Sequence, residues 1–115
     1  MNRGERRAAR HYRLRGYRVL GANVRAGRNE LDLVVRRGRT LLFVEVKERS
    51  SDAFGGPLGA IDAEKRRRVR RAAQAWLSAH PDARGLHVGF EAVAVRGRHV
   101  ERVILDVADL APRNG

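Results

Sequence analysis

Apolar positions recur along this chain with two alternating periods. From about Arg3 to Arg15, Ala8, Ala9 and Tyr12 fall on one helical face, Glu5 extends that face toward the N-terminus, and Gly16 stands where helices commonly stop. Tyr17 to Arg25 alternates weakly, as a strand does, until Gly27 breaks it. Leu31 to Arg36 and Thr40 to Glu48 are β-rich runs on either side of Arg37-Gly38-Arg39, which predicts a hairpin. Ser50 to Gly59, with its glycines, proline and serines, reads as a loop able to close over a substrate. A helical period then returns: Asp62 can cap, Ile61, Val69, Ala72, Ala73, Trp76 and Leu77 make a stripe, and His80-Pro81-Asp82 ends it. Phe90 to Val95 and Arg98 to Leu105 predict two more strands joined at Gly97. The order is α, three β, α, then one or two β, an α/β arrangement.

Composition narrows what such a fold can do. A chain of 115 residues accommodates one domain, expected over 1–109 with a short tail at 110–115. Twenty-five basic against thirteen acidic residues give a formal charge of +12, which calls for a polyanionic partner. Nucleic acid is the first candidate. An anionic membrane is the second, but the basic helices lack the wide bulky apolar face that an interfacial helix needs, so no membrane association is expected. With no cysteine there is neither a disulfide nor a thiolate metal site. The N-terminus lacks the apolar stretch of a signal peptide and no run approaches spanning length, so a soluble cytoplasmic protein is expected.

The candidate chemistry sits in the hairpin. Only two lysines stand among twenty-three arginines, and one, Lys47, lies in the apolar run Leu41-Leu42-Phe43-Val44-Glu45-Val46-Lys47. Lysine is a compact, tunable ammonium where arginine is a permanently charged fork. Alternation places Glu45 and Lys47 on one face. Asp32 joins them if the turn has two or four residues, because facing positions then sum to 77 and Asp32 lies opposite Glu45; a three-residue turn without a bulge would separate them. Glycine at the first central position suits a type II′ turn and the two-residue version. Two facing carboxylates repel unless one is protonated or a cation lies between them. Mg²⁺ or Mn²⁺ held by Asp32, Glu45 and the main-chain carbonyl of Val46 answers that, with Lys47 orienting water or stabilising the pentacovalent phosphorane. The pattern thus predicts a metal-dependent phosphodiesterase centre.

A plainer reading stands beside it. Asp32, Glu45 and Lys47 could be solvent-facing hairpin residues, with Glu30 opposite Lys47 as a cross-strand ion pair, and Glu5 could serve only the helix dipole. Lys65-Arg66-Arg67-Arg68-x-Arg70-Arg71 opens the second helix with its charges pointing outward, and Arg3, Arg6, Arg7, Arg10 and Arg13 decorate the first. We read the run, together with Arg49, as a phosphate-contacting surface. Lys65 reaches either the scissile phosphate or solvent. The four histidines have no ligand spacing, the serines lack a base and an orienting acid, and 5% aromatic content disfavours a binder built on aromatic stacking.

Gly4-Glu5-x-x-Ala8, Gly16-Tyr17, Asn23-x-Arg25, Glu30-Leu31-Asp32-Leu33-Val34, Phe43-Val44-Glu45-Val46-Lys47-x-Arg49-Ser50, Phe54-Gly55-x-Pro57 and Lys65 occur in an order that resembles the YraN-like family of small bacterial proteins. That family belongs with the PD-(D/E)xK nucleases and is similar in core to archaeal Holliday junction resolvases. The resemblance implies a restriction endonuclease-like αβββαβ core, a mixed central sheet flanked by helices, with Asp32 and Glu45 as metal ligands, Lys47 as the catalytic lysine and Glu5 as an auxiliary acid. It also implies a homodimer by analogy with junction-cutting enzymes. The chain departs from the family at Asn29-Glu30-Leu31-Asp32, where Gly-Glu-x-Asp is usual, and at Gly89-Phe90-Glu91, where Arg-Phe-Asp is common. The expected activity is hydrolysis of DNA, including branched DNA. The rival is a non-catalytic binder of DNA or ribosomal RNA that keeps the fold.

Overall fold

The computed structural model describes residues 1–48 and 63–106. Helix α1 (Arg3–Leu14) starts with a reciprocal cap: the Glu5 N–H donates to Asn2 Oδ1 at 2.8 Å and the Asn2 N–H to Glu5 Oε1 at 3.0 Å. Its last turn closes on Gly16 at φ +90, a conformation glycine adopts without a Cβ penalty. Strands β1 (Arg18–Ala26), β2 (Asn29–Arg37) and β3 (Thr40–Glu48) follow, then α2 (Ala63–Ala79), a 3₁₀ turn at Pro81–Ala83, and strands β4 (His87–Arg96) and β5 (His99–Asp106).

Among the described residues the strands form one sheet in chain order, antiparallel except where β3 pairs with β4. A parallel neighbour requires a crossover, and the chain between β3 and β4 includes α2. The mixed α/β sheet flanked by helices is the expected architecture. β4 begins at His87 rather than Phe90, because its first residues extend the parallel ladder from the Thr40–His87 pair. The expected loop at 50–59, Ile61, Asp62, Arg49 and the 109/110 boundary lie outside the described residues.

The helices cover opposite faces. Ala8, Ala9 and Tyr12 of α1 pack with Leu33, Val35, Leu42, Val44, Val93 and Val95. On the other side, Val69, Ala72, Ala73 and Trp76 of α2 pack with Leu41, Phe43 and Phe90. Three hairpins share one device, a two-residue Gly-Arg turn at 27–28, 38–39 and 97–98, with glycine φ values of +64, +59 and +57. At 38–39 only the glycine has positive φ, which marks the II′ form rather than I′.

One irregularity positions the site. Ala22 and Leu33 belong to the α1-side core, whereas Val24 and Leu31, two residues along on each strand, belong to the α2-side core. Residues two apart on a regular strand share a face. The β1–β2 ribbon therefore turns over between these rungs, at Asn23 and Asp32. Asn23 carries the bend at φ +51, the one non-glycine in that region among the described residues.

Candidate active centre

The bend determines what Asp32 can touch. Pairs from Arg37↔Thr40 to Leu33↔Val44 follow the expected register, but the β2–β3 ladder stops there as β2 turns away. β3 continues alone against β4 as far as Glu48↔Val95. The Val46 N–H has no β2 main-chain partner in that ladder, and Asp32 Oδ2 accepts it at 2.8 Å. Asp32 is thus not on a ladder rung facing Glu45. Its carboxylate reaches into the gap between the parting strands, and the expected Glu30–Lys47 rung does not form either.

Glu45 and Lys47 continue the Leu41 and Phe43 side of β3, toward α2. Lys47 Nζ lies 3.4 Å from Glu45 Oε1, and Lys65 Nζ, from the first turn of α2, lies 3.2 Å from the same oxygen. Both lysines of the chain therefore meet at one carboxylate, itself only 11% exposed. A compact ammonium fits beside a buried carboxylate where a planar fork with five donors would leave several unsatisfied.

Asp32 is held differently. Burial, then the charge of Glu45, push its carboxyl up from 3.8 to about 7, against the lowering influence of the Val46 N–H. A side-chain interaction with Glu45 pushes it the same way, which makes the two carboxyls neighbours. Glu5 adds a smaller repulsion, which puts it in the neighbourhood of Asp32 although it is also the capping residue of α1. Glu5 does not complete a ligand set: among the described residues no three acidic or histidine side chains are grouped to hold a metal ion. Two carboxylates with main-chain oxygens still suit Mg²⁺, which keeps several of its waters.

Arg66, Arg67, Arg68 and Arg71 lie exposed on α2 while Val69, Ala72 and Trp76 are buried, as expected, and Arg70 is half-buried. Glu91 stands where the resembled family commonly has Asp. It is 6% exposed and on the α1 side, where Arg102 grips it through Nε at 2.7 Å and Nη2 at 3.0 Å, and the Tyr12 hydroxyl donates to it at 2.6 Å. An acid within Phe90-Glu91-Ala92-Val93 was the available signal, since a buried carboxylate demands partners.

Residues 4–99 match the uncharacterised protein family UPF0102. The chain belongs to that family. A UPF0102 protein of Methylorubrum extorquens is 49% identical over 89 residues, spanning 77% of this chain and 68% of the relative. One from Beutenbergia cavernae is 49% identical over 92 residues, covering 80% and 77%, and one from Nitrobacter winogradskyi 38% over 105 residues, covering 91% and 87%. The YraN-like resemblance is thereby borne out. The UPF0102 match takes in Glu5, Asp32, Glu45, Lys47 and Lys65, and the family name carries no reaction. No helix among the described residues is long and apolar enough to cross a membrane.

Proposed function

We propose that this UPF0102 protein is a divalent-metal-dependent endonuclease that hydrolyses phosphodiester bonds of DNA. The observation carrying the reading is the meeting of Asp32, Glu45, Lys47 and Lys65 where β2 parts from β3. Asp32 brings a second carboxyl beside the lysine-paired Glu45 at the end of a ladder, and when both are ionised a cation between them relieves their repulsion.

Asp32 and Glu45 would hold Mg²⁺ or Mn²⁺, with the main-chain carbonyl of Val46 completing the protein's share. Bound there, the ion supplies a lowered pKa for water and offsets charge on the phosphorus oxygens. Lys47 orients the attacking water or stabilises the anionic phosphorane, and Lys65 brings a second ammonium to a phosphate oxygen beside Glu45. Glu5 keeps negative potential near Asp32 while ordering the start of α1. The exposed α2 arginines contact the nucleic-acid backbone without reading sequence.

Purified protein incubated with supercoiled, flap and four-way-junction DNA, with and without Mn²⁺, tests this when Lys47→Ala and Asp32→Asn are run in parallel. Metal-dependent cleavage lost in both variants is the expected result. Cleavage surviving both overturns it. Binding without cleavage in any metal leaves the non-catalytic reading.

A further inference from the structure

A second basic feature lies on the other side of the sheet. Arg7, Arg10 and Leu14 follow one another at helical spacing along α1 and, with Arg15, face Arg98 of the β4–β5 turn and Val100 of β5 across an open cleft of about 570 Å³. Four arginines line it and, among the described residues, no acid does. Leu14, in their midst, is 71% exposed, the most exposed large apolar side chain of the described residues. Elsewhere the exposed arginines of α2 stand over a face whose apolar residues are buried.

We propose that this cleft binds an unpaired nucleic-acid strand, its phosphates on Arg7, Arg10, Arg15 and Arg98 and a base against Leu14 and Val100. The ligand class follows from the mixture. Guanidinium groups pair with phosphate and stack on base faces, and an apolar floor suits the flat face of an unstacked base. A duplex hides its base faces and would offer that floor only sugar and phosphate. A free nucleotide is the poorer fit, because small-molecule sites enclose most of their ligand and this trough is open. Val100 pairs with Val95, which pairs with Glu48, so the cleft begins two strands from the end of β3, roughly 10 Å across the sheet but on its α1 side, and a strand bound at both places would have to round the edge of the sheet.

The inference rests on the nucleic-acid reading above but not on catalysis, so binding tests it. Fluorescence anisotropy of the full chain would use a labelled 20-nucleotide single strand, a duplex of equal length, and ATP as competitor. Arg10→Gln/Arg98→Gln should weaken the single strand about tenfold or more and flatten its salt slope by about 1.4. Leu14→Ser should weaken it about three- to tenfold with the salt slope unchanged, and neither variant should shift duplex binding more than about twofold. All three residues are exposed, and circular dichroism verifies folding. Equal losses on both substrates, or no loss with Leu14→Ser, would overturn the proposal, as would ATP displacing the strand at equal phosphate concentration. Arg67→Gln/Arg71→Gln on α2 is the parallel arm: if the wild type binds neither substrate the nucleic-acid reading itself fails, and if only the α2 pair matters this inference alone fails.

Discussion

Asp32→Asn should stabilise the metal-free protein while abolishing its response to metal. Asparagine keeps the shape of the side chain and an oxygen for the Val46 N–H, and its amide can donate to Glu45 where a carboxylate repels it. The sign follows from linkage. Asp32 is an acid whose folded value, about 7, lies above its unfolded 3.8, so as pH rises the unfolded chain loses this proton first. Folded stability then declines from about pH 4 to about pH 7, and the loss is complete above that. At face value the shift corresponds to about 4 kcal/mol at pH 8. Asp32 is partly open to solvent and its charge is shared with Glu45, so about 1–2 kcal/mol is the part expected to survive screening.

For a chain of this length about 1 kcal/mol moves Tm by roughly 4 °C. Thermal unfolding in EDTA should therefore place Asp32→Asn about 4–8 °C above wild type at pH 8, with the gap closing toward pH 4. Saturating Mn²⁺ should reverse the order at pH 8, since an ion at a hundred times its Kd stabilises only the protein that binds it, by about 2.7 kcal/mol. Asp32→Ala separates the two contributions, because it removes the repulsion but also leaves the Val46 N–H without its acceptor, at about 1–3 kcal/mol. An Asp32→Asn protein no more stable than wild type at pH 8, or one whose advantage persists unchanged at pH 4, refutes the argument that these carboxyls repel in the fold.

Three further outcomes can be measured. Glu91→Gln breaks the buried grip of Arg102 and should lower stability by about 2–4 kcal/mol in denaturant titration, while Tyr12→Phe, which removes one hydroxyl from the same carboxylate, should lower it by only about 1 kcal/mol. Lys65→Met should reduce metal-dependent turnover about tenfold or more, with Lys65→Arg restoring charge but little rate, whereas Arg67→Gln should raise KM and leave kcat unchanged; equal rates for Lys65→Met and wild type would remove Lys65 from the centre. Asn23→Val forces a β-branched side chain to φ +51 and should destabilise by about 1–2 kcal/mol, with Asn23→Gly near neutral; a Val variant of unchanged Tm would mean the ribbon does not need that bend.

Much of this arrangement was legible because it is local. A two-residue turn opened by Gly38 fixes which residues face each other between Leu33 and Val44, and the helical faces of α1 and α2 follow from spacing alone. The end of the ladder was not legible, because it depends on where the β1–β2 ribbon bends toward α2, and the only sequence mark of that bend is an asparagine, a residue equally at home in any turn. Lys65 illustrates the same limit. In sequence it is one member of a basic run, and only the packing of Val69, Ala72 and Trp76 on the sheet brings its ammonium to Glu45.

The two buried acid clusters give the strongest internal argument for where chemistry belongs. Glu91 has a bidentate guanidinium and a tyrosine hydroxyl, with Arg102 also lying over the Tyr12 ring at 4.6 Å; each of its oxygens is occupied, and the arrangement pushes the tyrosine and the arginine to hold their protons more tightly. Such a cluster is finished, and a ligand would have to dismantle it. Asp32 and Glu45 have the opposite character: burial, and then the neighbouring Glu45, raise the Asp32 carboxyl, both ammonium groups crowd a single oxygen, and the strands around them have already separated. A fold could have closed that gap by continuing the ladder one more rung. It bends away instead, at an asparagine with φ +51, and on the proposed reading the open end so left is what admits the ion and the phosphate.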